Sequence, residues 1–446
     1  VAKREETLTL TAEAVGISTV IDRRPLGSFQ KGIVGICACI AFLEGFGVQN
    51  AGFVAPALAR SFHLGHNALG LFFSLGLLGL MLGALILAPL ADHLGRKPVL
   101  LLCVVLFGLG SIGQALAPSE RVLYPLRFLT LFGIGGAMPN TIAMTSEYSP
   151  ARIRSQTIVL MFNGFIAGAV AVGLIAARMV EALGWRSILI VGGVLPVLLI
   201  PVLLLRLPES VRFLASRGAT STQARARLAT LMRRIDPSIA PDAHFVLGEH
   251  APGRVSVTAL FKEGRSYKTI LLWTLSFCSL LDLFLMSNWL PTQIASLGVS
   301  VGIAILIGAL LQLGGMASIV LAWTMHRIGP ATTLAAAYLI GALSIACIAL
   351  AGSSVPLLTL SVLAAGFGVL GGQTAANAVA AESYPTEIRA TGVGWFFGVG
   401  RSGSIVGPSI AGFLLSIGVS NRHVFMLAVI PAAIAAIASL GLGQRR

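Results

Sequence analysis

Apolar residues in this chain come in long runs separated by short polar breaks. Twelve such runs stand out: 31–58, 69–91, 98–117, 123–149, 155–180, 187–206, 268–295, 301–325, 331–352, 355–381, 391–416 and 422–441. A helix rises 1.5 Å per residue, so about 20 apolar residues cross a bilayer's hydrocarbon layer. Each run therefore predicts a membrane-spanning helix. Strands of an outer-membrane barrel would alternate over about ten residues, and no such alternation occurs. The longest polar segment, 207–267, opens with LPESVRFL and carries the basic run RARLATLMRR. It divides the chain into six spans and six. The expected organisation is an N-terminal segment 1–30, a six-helix bundle 31–206, a central loop 207–267, a second six-helix bundle 268–441 and a tail 442–446.

The halves read as copies. Pro56 in FVAP and Pro291 in NWLP differ by 235 positions, and Gly95 in DHLGRK and Gly329 in HRIGP by 234. Tyr148 and Tyr384 differ by 236, and Arg154 and Arg389 by 235. Four anchors at nearly one offset predict two parallel six-helix pseudo-repeats, a plan that in transporters holds substrate at the interface of the halves. The predicted fold class is an all-α membrane protein.

Composition agrees: 56% of residues are hydrophobic and 11% charged, against about 25% charged in soluble domains. The net charge of +14 raises nucleic acid as a partner, but its distribution argues against one. With twelve spans both termini share a side, and 24 of the 31 Lys and Arg fall there; five fall opposite (Arg60, Arg121, Arg178, Arg186, Arg422). This positive-inside bias predicts cytoplasmic termini in a bacterial inner membrane. Residues 1–30 do not read as a cleavable signal. The five cysteines all fall in spans without metal-ligand spacing and read as packing residues. No cofactor, metal site, phosphate loop or nucleophile–base constellation is read from the sequence, so transport rather than enzymatic chemistry is expected.

Residues 83–97, GALILAPLADHLGRK, resemble the loop 2–3 signature of the major facilitator superfamily. Asp92 at a helix end beside Arg96 and Lys97 can act as a latch that pairs across the halves; the alternative is a solvated turn. RFLTLFGIGGAMPNTIAMTSEYSPARIR (127–154), YPTEIRATGVGWFFGVGRSGSIVGP (384–408), LEGFGVQNAGFVAPALA and NWLPT are more specific. With them the chain resembles the aromatic acid:proton symporters of that superfamily over all twelve spans. The resemblance implies import of a benzoate-like acid driven by protons. It also implies a proton-coupling role for Arg127, through a pair with the span 1 acid.

Candidate site residues follow from depth and charge. A charge at the bilayer centre costs roughly 2.5–3.5 kcal/mol and is functional by default. Glu44, in FLEGFGVQN, is such a residue and the leading proton carrier. Arg127 and Arg401 are the only basic residues more than three positions inside a span. Arg401 lies about ten residues into span 11 and suits a carboxylate, because its guanidinium is a permanent bidentate fork; for both arginines a structural ion pair is the competing reading. Trp289, Phe284 and Phe396 offer a slot for a ring, or simply pack. Asn140, Gln373 and Asn377 can bond substrate oxygens, or glue helices together.

The family usually carries a second span 1 acid, in a pattern such as D-G-x-D, where this chain has Gly47. Nine residues before Pro56 is Gly47, and nine before Pro291 is Asp282. The missing acid thus reappears at the repeat-related position of span 7, about 21 Å along the helix from Lys268. Asp282 is a second candidate for proton coupling, expected to face one cavity with position 47. Glu147 with Arg154, and Glu382 with Glu387 and Arg389, lie at related helix ends and complete an expected inner gate with Asp92 and Arg96. The function expected is a monomeric, proton-coupled importer of a small aromatic carboxylate. Two alternatives stand: an exporter or antiporter of organic anions or drugs, and a transport-impaired sensor of aromatic acids.

Overall fold

The computed structural model describes residues 14–218, 221–239, 244–246, 256–385 and 388–443. Long helices dominate, because a chain in hydrocarbon must satisfy its backbone polar groups within itself. In the first half these are α1 (Ser28–Phe62), α2 (His66–Leu94), α3 (Arg96–Leu116), α4 (Glu120–Tyr148), α5 (Arg154–Leu183) and α6 (Trp185–Arg206). In the second they are α7 (Ser266–Ser296), α8 (Val301–Ile328), α9 (Pro330–Leu350), α10 (Val355–Ser383), α11 (Arg389–Ser416) and α12 (Asn421–Gly441). Eleven are long and apolar enough to cross a membrane. The other, α11, is 28 residues long but diluted in apolarity by Arg401 and by many glycines and serines. Two three-residue strands, Ala14–Gly16 and His244–Val246, pair in parallel; the other described residues are helix and connection.

The packing repeats with the sequence. α1 lies on α5, α2 on α4 and α3 on α6; correspondingly α7 lies on α11, α8 on α10 and α9 on α12. Close approach requires glycine at matching places. A Cβ on Gly168 would collide with the Phe42 carbonyl, and one on Gly403 with that of Phe277; both contacts are shifted by 235. The turns match too: Gly95 (φ 101°) and Gly329 (φ 87°) precede α3 and α9, and Gly184 (φ 79°) and Gly418 (φ 90°) follow α5 and α11. These left-handed positions suit glycine, which has no Cβ to clash.

One end of the bundle carries the start of α1 and the end of α12; it is called the terminal side, and the other the far side. The polar segment after α6 is folded where it is described. Helices Val211–Gly218 and Thr222–Ile235 bury Leu214, Leu228 and Met232 against Val99, Met144 and Leu203 of the first half. Arg24 bonds Asp236 at 2.8 Å, tying the N-terminal segment to the same cap. The Ser238 hydroxyl and amide, and then Arg24, hold the Asp236 carboxyl below its ordinary value.

The halves meet along α2 with α11, α5 with α8, and α1 with α7. Hydrogen bonds that join them are found toward the far side. Ser74 donates to the Ile405 carbonyl at 2.7 Å and Ser409 to Ser74 at 2.7 Å. The Gly302 amide, in the first turn of α8, donates to the Glu181 carboxylate at 2.6 Å. A Cβ on Gly52 would meet the Ser287 carbonyl. Positions 52 and 287 are themselves 235 apart, so the pseudo-twofold axis passes between them.

Candidate functional site

The far-side closure leaves a cleft between the halves, and α11 shows where it runs. At 100° per residue, Gly394, Gly398, Arg401 and Ile405 share one face. Ile405 is bonded to Ser74 of the other half, so this face looks across the interface. One and two turns toward the terminal side the contact has ended: ideal Cβ atoms on Gly398 and Gly394 have no heavy atom within 4 Å. Arg401 sits where the closed part gives way to the open part, about 18 Å along α11 from its start.

Arg401 is partly accessible. Its guanidinium makes no ion pair or hydrogen bond among the described residues; its backbone carbonyl accepts the Ser404 hydroxyl. An interior cation with five free donors is an anion site in chemical terms.

Arg127 is different. It is 2% exposed and donates to the Gly47 carbonyl (3.3 Å), the Val48 carbonyl (3.3 Å) and Asn50 Oδ1 (3.0 Å), with its guanidinium 5.4 Å from the centre of the Phe72 ring. The expected pair with Glu44 is not formed. Arg127 instead clamps the backbone of α1 around Gly47, where the resemblance implies a second acid, and its partners there are Asn50 and two carbonyls.

Glu44 and Asp282 are 0% and 1% exposed, and neither carboxylate has a hydrogen-bond partner among the described residues. Thiols Cys37 and Cys103 lie within electrostatic reach of Glu44; Cys278 and Tyr338 do so for Asp282. Tyr338 donates to Ser279 at 3.0 Å, and position 279 is the repeat counterpart of 44. The expectation that positions 47 and 282 face one cavity is corrected here. A Cβ on Gly47 would point at Ile134 Cδ1, 2.7 Å away, and at Phe107, both inside the first half, whereas Asp282 is close to α9 in the second. Each repeat turns this position toward its own core.

The expected ring slot also differs. Trp289 is fully buried, donates to the Pro408 carbonyl at 3.1 Å and packs edge-on to Phe73. Phe396 is fully buried against Phe397, and Phe284 is 9% exposed. Their aromatic surface is consumed in packing, so none opens onto the cleft. Asn140 is occupied as well: it donates to Gly136 at 2.8 Å and accepts from Arg96 at 3.3 Å. Gln373 donates to Asn377 Oδ1 at 2.9 Å, leaving its own Oε1 unpaired, and Asn377 is partly exposed. These two follow a π-helical turn, Gly366–Gly371, a feature frequent at functional sites.

The expected gate residues are assembled within, not across, the halves. Arg96 bonds Glu147 at 2.9 Å and lies 3.5 Å from Asp92; its amide donates to Glu209 at 2.7 Å. Ser210 donates to Glu147 at 2.5 Å. Asp92 remains 68% exposed. Arg154 donates to the Ser149 carbonyl and Arg389 to the Tyr384 carbonyl, the same bond 235 residues apart. Glu387 lies outside the described residues. Sequence reasoning missed Gly394 and Gly398, although their i, i+4, i+7 spacing to Arg401 was a readable signal. It also missed Glu209, Asn50 and Glu181, whose partners come from distant segments.

The sequence profile of the Major Facilitator Superfamily matches residues 37–355 and 272–445. The chain is 41% identical to a gallate transporter of Pseudomonas putida, over 97% of this chain and 96% of that one. It is 38% identical to the 4-hydroxybenzoate transporter PcaK of Pseudomonas aeruginosa, over 96% of each. With a benzoate transport protein of Acinetobacter baylyi it shares 30% identity over 97% and 93%. Among solved structures, a bacterial homologue of the human lysosomal transporter Spinster, inward-facing and occupied, superposes with a TM-score of 0.73 at 15% identity over 94% and 98%. The xylose transporter XylE of E. coli, partially occluded and inward open, does so at 0.70 and 17% over 92% and 97%.

Proposed function

Because this chain belongs to the Major Facilitator Superfamily and is a membrane transport protein rather than an enzyme, we propose that it imports a small aromatic carboxylate with protons, by alternating access. The observation that carries this reading is Arg401: a cation held in the interior, facing the cleft, with no anionic partner among the described residues. Keeping such a charge at depth is costly, and a substrate carboxylate supplies the missing partner. The relatives named for gallate, 4-hydroxybenzoate and benzoate support an aromatic acid as that substrate.

Charge supports an orientation. The terminal side holds the excess of Lys and Arg, so it is the cytoplasmic face of an inner membrane, and the present arrangement is closed outside and open inside. The two halves, 31–206 and 268–441, rock as units joined by the loop 207–267, and the monomer is sufficient. With the outer side open, the substrate carboxylate docks on Arg401 while Glu44 and Asp282 take protons. An ionised carboxylate without donors is costly to bury, so loading both acids favours closure of the halves. After the halves tilt, water enters from the terminal side, and protons and substrate leave together. Asp92, Arg96, Glu147, Arg154 and Arg389 rearrange when that side closes.

The test is uptake of a radiolabelled carboxylate panel (benzoate, 4-hydroxybenzoate, gallate, succinate) into vesicles with and without an imposed pH gradient. Gradient-dependent accumulation of the aromatic acids alone is expected. Succinate uptake without aromatic uptake would overturn the substrate class.

A further inference from the structure

A second feature lies away from the cleft, at the far end of the second half. A pocket of ≈ 240 Å³ opens there between α7, α9, α10 and α12, with Gln293, Ile294, Ile348, Leu358, Arg422 and Phe425 in its wall. A cavity of about 150 Å³ lined by Leu, Ile and Phe takes up benzene, so this one has room for a substituted ring. Three features of its wall are complementary to one ligand chemistry. Ile294, Ile348, Leu358 and Phe425 line it at the edge of the buried apolar core and give it an apolar wall. Arg422 stands at the mouth without an ion pair among the described residues. Gln293 is 4% exposed, and its Oε1 is buried without a donor.

We propose that this pocket is a second binding site, on the far face, for a hydroxylated aromatic monocarboxylate. The carboxylate lies at Arg422, the ring enters between Leu358 and Phe425, and a ring hydroxyl donates to Gln293. A phenolic acid satisfies all three features at once, whereas an aliphatic anion leaves the apolar wall unfilled and a neutral arene leaves Arg422 and Gln293 unpaired. The pocket lies on the face opposite to that onto which the Arg401 cleft opens. It can therefore hold substrate while the central site is closed to that side, concentrating it at the mouth.

The test is equilibrium dialysis of radiolabelled 4-hydroxybenzoate against the full-length protein in lipid nanodiscs. Two ligands per chain are expected. Arg422→Ala weakens one of them by about three- to fivefold, the scale of a solvent-facing charge contact. Leu358→Trp fills the pocket and removes that ligand altogether, while Arg401→Ala weakens the other by about 10- to 150-fold. If Leu358→Trp fails to fold, Arg422→Ala decides alone, since this exposed side chain has no bond to lose among the described residues. A single ligand per chain, weakened in Arg401→Ala and untouched by Arg422→Ala, would make the pocket a hydrated void and leave the proposed function standing. No binding in the wild type would overturn both.

Discussion

Replacing Arg401 by alanine separates a ligand-binding arginine from a structural one, and the structure sets the scale. The guanidinium has no partner within the protein among the described residues, so its removal orphans no buried group. Folding stability should barely change. What is lost is a charge-assisted contact to the substrate carboxylate, worth roughly 1.5–3 kcal/mol. At 1.4 kcal/mol per decade, that raises Kd by about 10- to 150-fold. Arg401→Lys keeps the charge but loses the planar fork and should fall between the two. Arg127→Ala is the contrasting control. It removes three hydrogen bonds to α1 from a buried position and should cost about 3 kcal/mol or more of stability. Calorimetric titration with 4-hydroxybenzoate, paired with thermal unfolding of each variant, reads both quantities. Unchanged Kd in folded Arg401→Ala, or a stability loss comparable to that of Arg127→Ala, would refute the assignment.

Glu44→Gln should abolish uphill accumulation while preserving exchange of labelled for unlabelled substrate, because the amide keeps the shape and cannot carry the proton; full accumulation would remove Glu44 from the coupling. Asp282→Asn should lower gradient-driven uptake at unchanged substrate affinity, and wild-type uptake in this variant would mark Asp282 as a packing residue. Glu181→Gln weakens the charged bond to the α8 amide, so far-side labelling of Ser74→Cys by an impermeant maleimide should rise a few-fold; an unchanged rate would show that this bond holds nothing shut. Asp92→Asn should slow turnover without impairing membrane insertion, whereas normal turnover would favour a solvated turn.

The twelve helices were legible because the bilayer imposes one length and one composition on every crossing, and observed bounds fall within about four residues of the expected ones. The repeat was legible for the same reason that it recurs in the structure: Gly95 and Gly329 occupy the same strained turn, and Arg154 and Arg389 make the same bond. The central loop reads as polar connection in the sequence, yet its described helices fold against the first half. Their apolar faces, Leu214 with Leu228 and Met232, were hidden among eight-to-fourteen-residue amphipathic stretches. Depth singled out Glu44, Arg127, Asp282 and Arg401, but only tertiary structure distinguished them. Arg127 is consumed by α1, and Arg401 has no side-chain partner among the described residues. Orientation around a helix axis was the weakest inference. A shared offset from a proline shows that positions 47 and 282 are equivalent, and equivalence under a twofold axis turns each toward its own half. Aromatic residues misled because Trp289 and Phe396 satisfy packing needs that a sequence does not display.

Proton-coupled import is the central claim, and proton movement reports on it most directly. Vesicles with the far side outward are suspended in lightly buffered medium without an imposed gradient, and unlabelled 4-hydroxybenzoate anion is added while the external pH is recorded. Import with protons predicts immediate alkalinisation of the medium, absent with succinate, abolished in Arg401→Ala and abolished in Glu44→Gln. Substrate entry, followed in parallel with label, without any alkalinisation would contradict proton coupling; acidification would reverse its direction.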